Sequence, residues 1–268
     1  MEISIIIVSY NTKDKLSSLL RSLTDAGIGL DWQVIVVDNA STDGTVKMLE
    51  QQFPDVILVK NNRNLGFARA CNIGFAKSNG RFLFFLNPDT EIKPQVVEKL
   101  VEFASYHADC GIVAPQLLNG DGSPQASVRN LPTLWRAIRQ YWLGQLGVYD
   151  FYLPGGAAVS VESVTGAAML IHRNIFEKVG GFDERYFMYF EDLELCRQVI
   201  SLGYKIYYLP QLTIVHHKGA SAQTIGGKAF QMLKISSKIY HGWAQAFLID
   251  VVIRSGRICK KLLGRNTK

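Results

Sequence analysis

The chain is poor in cysteine, lacks the usual glycine fingerprints for nucleotide phosphates, and has no long apolar run. Its four cysteines, Cys71, Cys110, Cys196 and Cys259, stand far apart and form no CxxC pair. That spacing argues against a zinc site or a disulfide framework and for a reducing, cytoplasmic setting. No GxGxxG follows the first apolar run and no GxxxxGK loop occurs anywhere, which disfavours NAD-dependent and P-loop enzymes. No stretch reaches the roughly 18 apolar residues that a spanning helix needs. Met1 leads almost directly into "ISIIIVSYN" (3–11), which reads as a strand rather than a secretory leader. Low-complexity tracts and linkers rich in Pro, Gly or Ser are missing as well.

What is present is enough apolar material for a large core. Of 268 residues, 48% are hydrophobic and 11% aromatic, which excludes global disorder. The net charge of +6 and a pI near 9.1 suit an anionic partner such as a nucleotide or a membrane surface. Nucleic acid fits poorly, because the basic residues gather in the tail and no aromatic–basic recognition pattern accompanies them.

Strand and helix signals alternate through the first half. "ISIIIV" (3–8), "QVIVV" (33–37), "VILVK" (56–60), "RFLFFL" (81–86) and "GIVAP" (111–115) read as strands covered on both faces. Between them, Leu16, Leu19, Leu20 and Leu23 recur at helical spacing, a helix covers about 67–78, and another carries Val97, Leu100, Val101 and Ala104. This order predicts a parallel, doubly wound sheet, in which ligands sit beyond the C-terminal strand ends. The second half is less regular. It offers a turn at 119–124, a helix around "TLWRAIRQYWLGQL", a strand at 164–172, a helix over 190–204, and strands "KIYYL" and "TIVHH".

Polar residues cluster where the strands end. Ser9 and Asn11 follow the first, "DNASTDGT" (38–45) the second and "NPDT" (87–90) the fourth. Each cluster alone suits a cap or a turn; their convergence on one rim points to a ligand. Glu191 and Asp192 open the 190–204 helix and have two readings. They complement the helix dipole, or one of them is a general base held ionised there. His216 and His217 close a strand, and because neighbouring strand residues face opposite ways, at most one can point at a given site.

Taken together and in order, "IIIVSYN", "VVDNASTDGT", "NLGFARACNIG", "FLNPDT", "VTGAAMLIHR", "GGFDERYFMYFEDLELC" and "VHHKGAS" resemble inverting family 2 glycosyltransferases, closest to a rhamnosyltransferase-like branch. The resemblance covers about residues 3–221. It implies a GT-A fold: an α/β, Rossmann-like, mostly parallel sheet flanked by helices. The expected division is a catalytic domain over 1–222, with nucleotide-sugar and acceptor halves meeting near 115, and a helical extension over 223–268. By the same resemblance Ser9, Asn11, Asp38, Asn39, Arg69, Asn87 and Asp89 hold a nucleotide-sugar. Asp192 is the catalytic base with Glu191 beside it, and Asp89 with His216 holds a divalent cofactor, Mg²⁺ or Mn²⁺. The chain has Asn87-Pro88-Asp89 where the family has two carboxylates, so Asp89 alone supplies the anion, which Mg²⁺ tolerates when phosphates and water complete its shell.

The implied reaction transfers L-rhamnose from dTDP-L-rhamnose to a hydroxyl of a cell-surface glycan or lipid-linked precursor. A UDP-hexose or UDP-N-acetylhexosamine donor is the alternative within the class, and a non-catalytic nucleotide-sugar-binding subunit the alternative outside it. In the tail, Phe247, Leu248, Val251, Val252, Ile258, Cys259, Leu262 and Leu263 fall on one half of a helix, with Arg254, Arg257, Lys260 and Lys261 on the other. Such a helix lies on an anionic membrane or packs on its own domain.

Overall fold

The computed structural model describes residues 1–217 and 228–262. The expected 222/223 boundary, the end of "VHHKGAS" and Leu263 lie outside them. The first half follows the expected alternation closely: β1 (Ile3–Ser9), α1 (Lys13–Asp25), β2 (Trp32–Asp38), α2 (Thr45–Gln52), β3 (Ile57–Lys60), α3 (Phe67–Ala76) and β4 (Phe82–Leu86). After these come β5 (Thr90–Glu91), α4 (Val96–Tyr106), β6 (Cys110–Leu118), β7 (Pro124–Gln125), α5 (Leu134–Tyr141), β8 (Val159–Val161), β9 (Ala168–His172) and α6 (Arg173–Lys178). The chain then forms α7 (Glu191–Ser201), β10 (Lys205–His216), α8 (Lys228–His241) and α9 (Trp243–Leu262).

All the strands join one ten-stranded sheet in the order β3-β2-β1-β4-β9-β6-β10-β5, with β7 added to β6 and β8 to β10. Alternate residues of each central strand feed two separate cores. Ile3, Ile5, Ile7, Phe82 and Phe84 pack under α1 and α4; Ile6, Val8, Leu83 and Phe85 pack under α3 and α7. Burial on both faces is why these strands read as unbroken apolar runs.

Two features depart from the sequence expectation. β9 runs antiparallel to both β4 and β6, so the sheet is mixed rather than wholly parallel. An apolar run reports burial on both faces but not direction. β8 also runs antiparallel to β10 and ends opposite Ile206, near the start of that strand; residues 162–167 then return the chain to the rim, where Ala168 pairs with Leu86 and β9 begins. The two expected strands "KIYYL" and "TIVHH" form one strand, β10, whose register against β6 breaks between Leu209 and Thr213. Pro210 stands in that break, where its missing N–H leaves no ladder bond unmade.

Two of the quoted motifs, "NLGFARACNIG" and "GGFDERYFMYFEDLELC", pack on each other. Asn72 on α3 donates to the carbonyl of Phe182 at 2.8 Å and accepts from its N–H at 2.9 Å. Phe67 N–H donates to Phe187 O at 2.8 Å. That approach requires Gly66, with φ 86° and ψ 170°, a conformation nearly reserved for glycine. A Cβ there would lie 2.5 Å from Phe187 O. Gly66→Ala should therefore destabilise the protein by about 3 kcal/mol. Gly27→Ala, at φ 62° with open space around it, should lose only about 1 kcal/mol. Urea midpoints of the two variants check this, and equal losses would refute the close approach.

Candidate active site

β1, β2, β4, β6 and β10 run in one direction, so Ser9, Asp38, Asn87 and His216 all emerge at one rim. Because β9 is reversed, its entering end is at the same rim: Leu86 pairs with Ala168, and Asn87 N–H donates to Ala167 O at 2.9 Å. A cleft of about 430 Å³ opens there, with Asn87, Asp89 and His216 on one wall and Glu191 and Asp192 on another.

Pairing between β5 and β10 settles the histidine question. Thr90 pairs with His216, and His217 N–H donates to Asp89 O at 2.8 Å. His216 consequently faces inward, its Nε2 3.3 Å from Asp89 Oδ1. His217 faces the other way, its Nε2 2.6 Å from Glu91 Oε1. Asp89 is 3% exposed, and its Oδ1 has no hydrogen-bond partner among the described residues.

Opposite them, Tyr189 and Phe190 take left-handed φ values of 71° and 69°, uncommon for non-glycine residues and a mark of strain held at functional sites. This turn starts α7 with Glu191 and Asp192 at the cleft. Asp192 is clamped: Oδ2 accepts from Gly166 N–H at 3.1 Å and Oδ1 from Leu193 N–H at 2.8 Å. Burial pushes the Glu191 carboxyl well above the ordinary carboxylate range, and the charge of Asp192 adds to that. Burial raises Asp192 too, while the N–H groups of Gly166 and Leu193 and the nearby Arg129 charge favour its ionised form. With one proton on the pair, Glu191 keeps it and Asp192 carries the charge.

The remaining expected residues form a second group along the rim. Ser9 Oγ lies 2.9 Å from Thr12 Oγ1. Asn11 Oδ1 accepts from Thr42 N–H at 2.7 Å, and Asp38 Oδ2 from Ser41 N–H at 2.9 Å. Asp38 Oδ1 is buried without a hydrogen-bond partner, whereas both ends of the Asn39 amide are used, by Gly66 O and Asn61. Arg69 stands apart from the cleft, half-exposed and 3.5 Å from Glu184.

Two cleft residues went unnoticed in the sequence because they come from the irregular 116–165 region. Gln125 on β7 contacts His216. Arg129 donates from Nε to Tyr149 O at 2.9 Å and lies 4.9 Å from the Tyr149 ring centroid. Leu233 of α8 also lines the cleft, and Ser236 donates to Met188 O at 2.8 Å, which ties the extension to the turn before Glu191.

Comparison with known proteins fits this geometry. The family model for glycosyl transferase family 2 matches residues 4–180. An N-acetylglucosaminyl-diphospho-decaprenol L-rhamnosyltransferase of Mycobacterium tuberculosis is 30% identical over 235 residues, 81% of this chain and 76% of that protein. Rhamnosyltransferase WbbL of Escherichia coli K12 is 26% identical over 85% of this chain and 88% of its own. The dTDP-rhamnosyl transferase RfbF of Shigella flexneri is 27% identical over 83% and 71%. Among solved structures, the mannosyltransferase PcManGT of Pyrobaculum calidifontis, in complex with GDP-Man and Mn²⁺, superposes with a TM-score of 0.64 at 18% identity, covering 100% of this chain and 76% of that one.

The state of Glu191 has a measurable consequence. Its folded-state pKa is raised, so its contribution to stability is complete below the ordinary carboxylate range and is lost as pH rises toward the raised value. Glu191→Gln should unfold at higher temperature than the parent at neutral pH, by a margin on the order of 1–3 kcal/mol. That margin should close as pH falls to about 4. Thermal melts across this range check it, and a margin that widens in acid would contradict the assignment.

Proposed function

We infer that this chain, which belongs to glycosyl transferase family 2 and is a glycosyltransferase, moves L-rhamnose from dTDP-L-rhamnose to a hydroxyl of a cell-surface glycan or lipid-linked glycan precursor. The observation that carries the reaction is Asp192, whose carboxyl group is clamped by two backbone N–H groups at the wall of the cleft. The choice of sugar rests on relatives named for rhamnosyl transfer.

In this reading the acceptor oxygen attacks the anomeric carbon from the side opposite the diphosphate. Its proton passes to Asp192 as the carbon–oxygen bond to phosphate breaks, and that bond's electron pair leaves with the nucleoside diphosphate. One displacement inverts the carbon. Glu191, kept protonated, adds no second negative charge beside the base. Ser9, Asn11, Asp38 and Asn39 form the nucleotide end of the rim, with Asn87 and Asp89 at the diphosphate. Arg69 adds charge near the nucleotide.

Asp89 and His216 are the residues that would hold Mg²⁺ or Mn²⁺. Their facing atoms are 3.3 Å apart, close to the roughly 3 Å between neighbouring ligands on an ion with bonds near 2.1 Å. Asp89 Oδ1 is also buried without another partner. No group of three His, Cys, Asp or Glu side chains gathers among the described residues, so donor phosphates and water would complete the shell. When bound, the ion offsets charge on the departing diphosphate.

Nucleotide release from dTDP-L-rhamnose, compared with a panel of UDP-sugars, tests the donor. Asp192→Asn should lower the dTDP-L-rhamnose rate about 10²- to 10⁴-fold and leave dTDP binding within a few-fold. Equal loss of both would remove Asp192 from the role of base, and turnover of UDP-sugars alone would overturn the choice of rhamnose.

The extension supports contact with an anionic membrane. No helix among the described residues is long and apolar enough to cross one. α9 packs on α5 through Ile249, Val252, Ile253 and Gly256, a stripe that shares only Val252 with the apolar half read in the sequence. Gly256 lets the helices touch, since a Cβ there would lie 2.8 Å from Tyr141 O. Self-packing therefore still leaves Trp243, Phe247, Leu248, Val251, Ile258 and Leu262 exposed, with Lys260 and Lys261 in the last turn. The chain should float with phosphatidylglycerol vesicles, and Phe247→Glu with Leu262→Glu should abolish flotation. Unchanged flotation of the double variant would end the membrane reading.

A further inference from the structure

His216 has a second nitrogen, and its surroundings fix which of the two carries the proton. Nδ1 lies 2.7 Å from Gln125 Oε1, while Nε2 points toward Asp89 Oδ1 at 3.3 Å and Asn87 Nδ2 at 3.5 Å. The other end of the Gln125 amide, Nε2, reaches the backbone carbonyl of His216 at 3.3 Å and Asn119 Oδ1 at 2.8 Å. A backbone carbonyl only accepts, so it must face the amide's NH₂ group. Oε1 is then the end left for the ring, and an oxygen acceptor there requires a proton on Nδ1. In the neutral ring, Nε2 is consequently a bare lone pair aimed at Asp89.

Gln125 is itself held in place. It is 7% exposed, its backbone pairs with Leu117 in the sheet, and Asn119 is fixed in turn by a 2.9 Å bond to Ser123 Oγ. The amide has no freedom to turn over without setting its oxygen against the His216 carbonyl.

We propose that Gln125 is a positioning residue that locks His216 as its Nδ1–H tautomer, presenting Nε2 to a divalent ion shared with Asp89. This rests on reading Asp89 and His216 as an ion-holding pair. The second ring nitrogen of a metal-bound histidine commonly donates to an oxygen that fixes its orientation, and loss of that oxygen typically weakens metal binding 10- to 100-fold. Here the oxygen comes from a strand that carries no sequence motif. It also suits a site whose single carboxylate leaves more of the binding to the histidine.

The test uses metal-free protein with ¹⁵N-labelled histidine, then Mn²⁺ titration in the presence of dTDP followed by electron paramagnetic resonance. Three chains are compared: the parent, Gln125→Met, which is similar in size but donates and accepts no amide bond, and Gln125→Glu, which keeps an acceptor for Nδ1 and, protonated on its other oxygen, a donor for the His216 carbonyl. The parent should show the Nδ1–H pattern for His216. Gln125→Met should lose that pattern and bind Mn²⁺ about 10- to 100-fold more weakly, while Gln125→Glu should keep both within about threefold. Rescue by Glu separates a held tautomer from a general loss of packing, which both substitutions would share.

A parent that binds Mn²⁺ with an Nε2–H ring would overturn this proposal alone. Unchanged affinity in Gln125→Met would do the same. A parent with the Nδ1–H ring that binds no Mn²⁺ would overturn the ion-holding pair and, with it, the purpose assigned to Gln125.

Discussion

Asn87 donates its backbone N–H to the carbonyl of Ala167, and the N–H of Gly166, one residue earlier, reaches the carboxylate of Asp192. Both contacts exist because β9 runs against its neighbours β4 and β6. A parallel strand in that place would bring its exiting end to the rim, and different residues would meet Asn87. The reversal delivers three consecutive residues, Gly166, Ala167 and Ala168, between Asn87 and Asp192. The separation of these two walls is thus set by hydrogen bonding within the sheet, which deforms far less readily than a loop.

Within that frame, two pairs of acidic and neighbouring groups are sorted by what each atom can reach. Asp192 has two backbone donors and Arg129 nearby, whereas Glu191 Oε2 has no hydrogen-bond partner among the described residues. The same sorting separates Asp89, facing a ring nitrogen, from Glu91, two residues on and paired outward with His217. Strand parity turns the two histidines apart, because 216 and 217 are neighbours; the two carboxylates, two residues apart, are separated instead because Asp89 lies in the turn before β5 while Glu91 lies within it.

How much of this was legible in the sequence depended on where each residue sits. Asp38, Asp89 and Asp192 follow strong apolar runs or open a helix, so their place at the rim could be read from periodicity and the end-of-strand rule. The choice between His216 and His217 could not, because it depends on pairing with β5, a strand of two residues with no periodic signal. Gln125 and Arg129 were invisible for a similar reason: β7 is equally short, and what aims their side chains is contact with residues far along the chain. The direction of β9 was hidden because Met169, Leu170 and Ile171 are buried from both sides whichever way the strand runs. In α9, periodicity found the apolar half, most of which stays exposed, but not the stripe that packs on α5, since Gly256 at the close crossing scores as a helix breaker.

Leu233 lines the cleft, and Phe190, which precedes the acidic pair, stacks near Tyr240 at 5.4 Å between centroids. Those residues belong to α8, beyond the end of the sheet, and α8 passes through Gly242 directly into α9. Helix α8 is therefore part of the cleft rather than an addition to it. Removing α8 and α9 would strip Leu233 from the cleft and uncover Phe190 and Leu193, leaving the strained turn at Tyr189 without the cover that holds it. A chimera that exchanges α8 and α9 alone would exchange part of the cleft's lining with them.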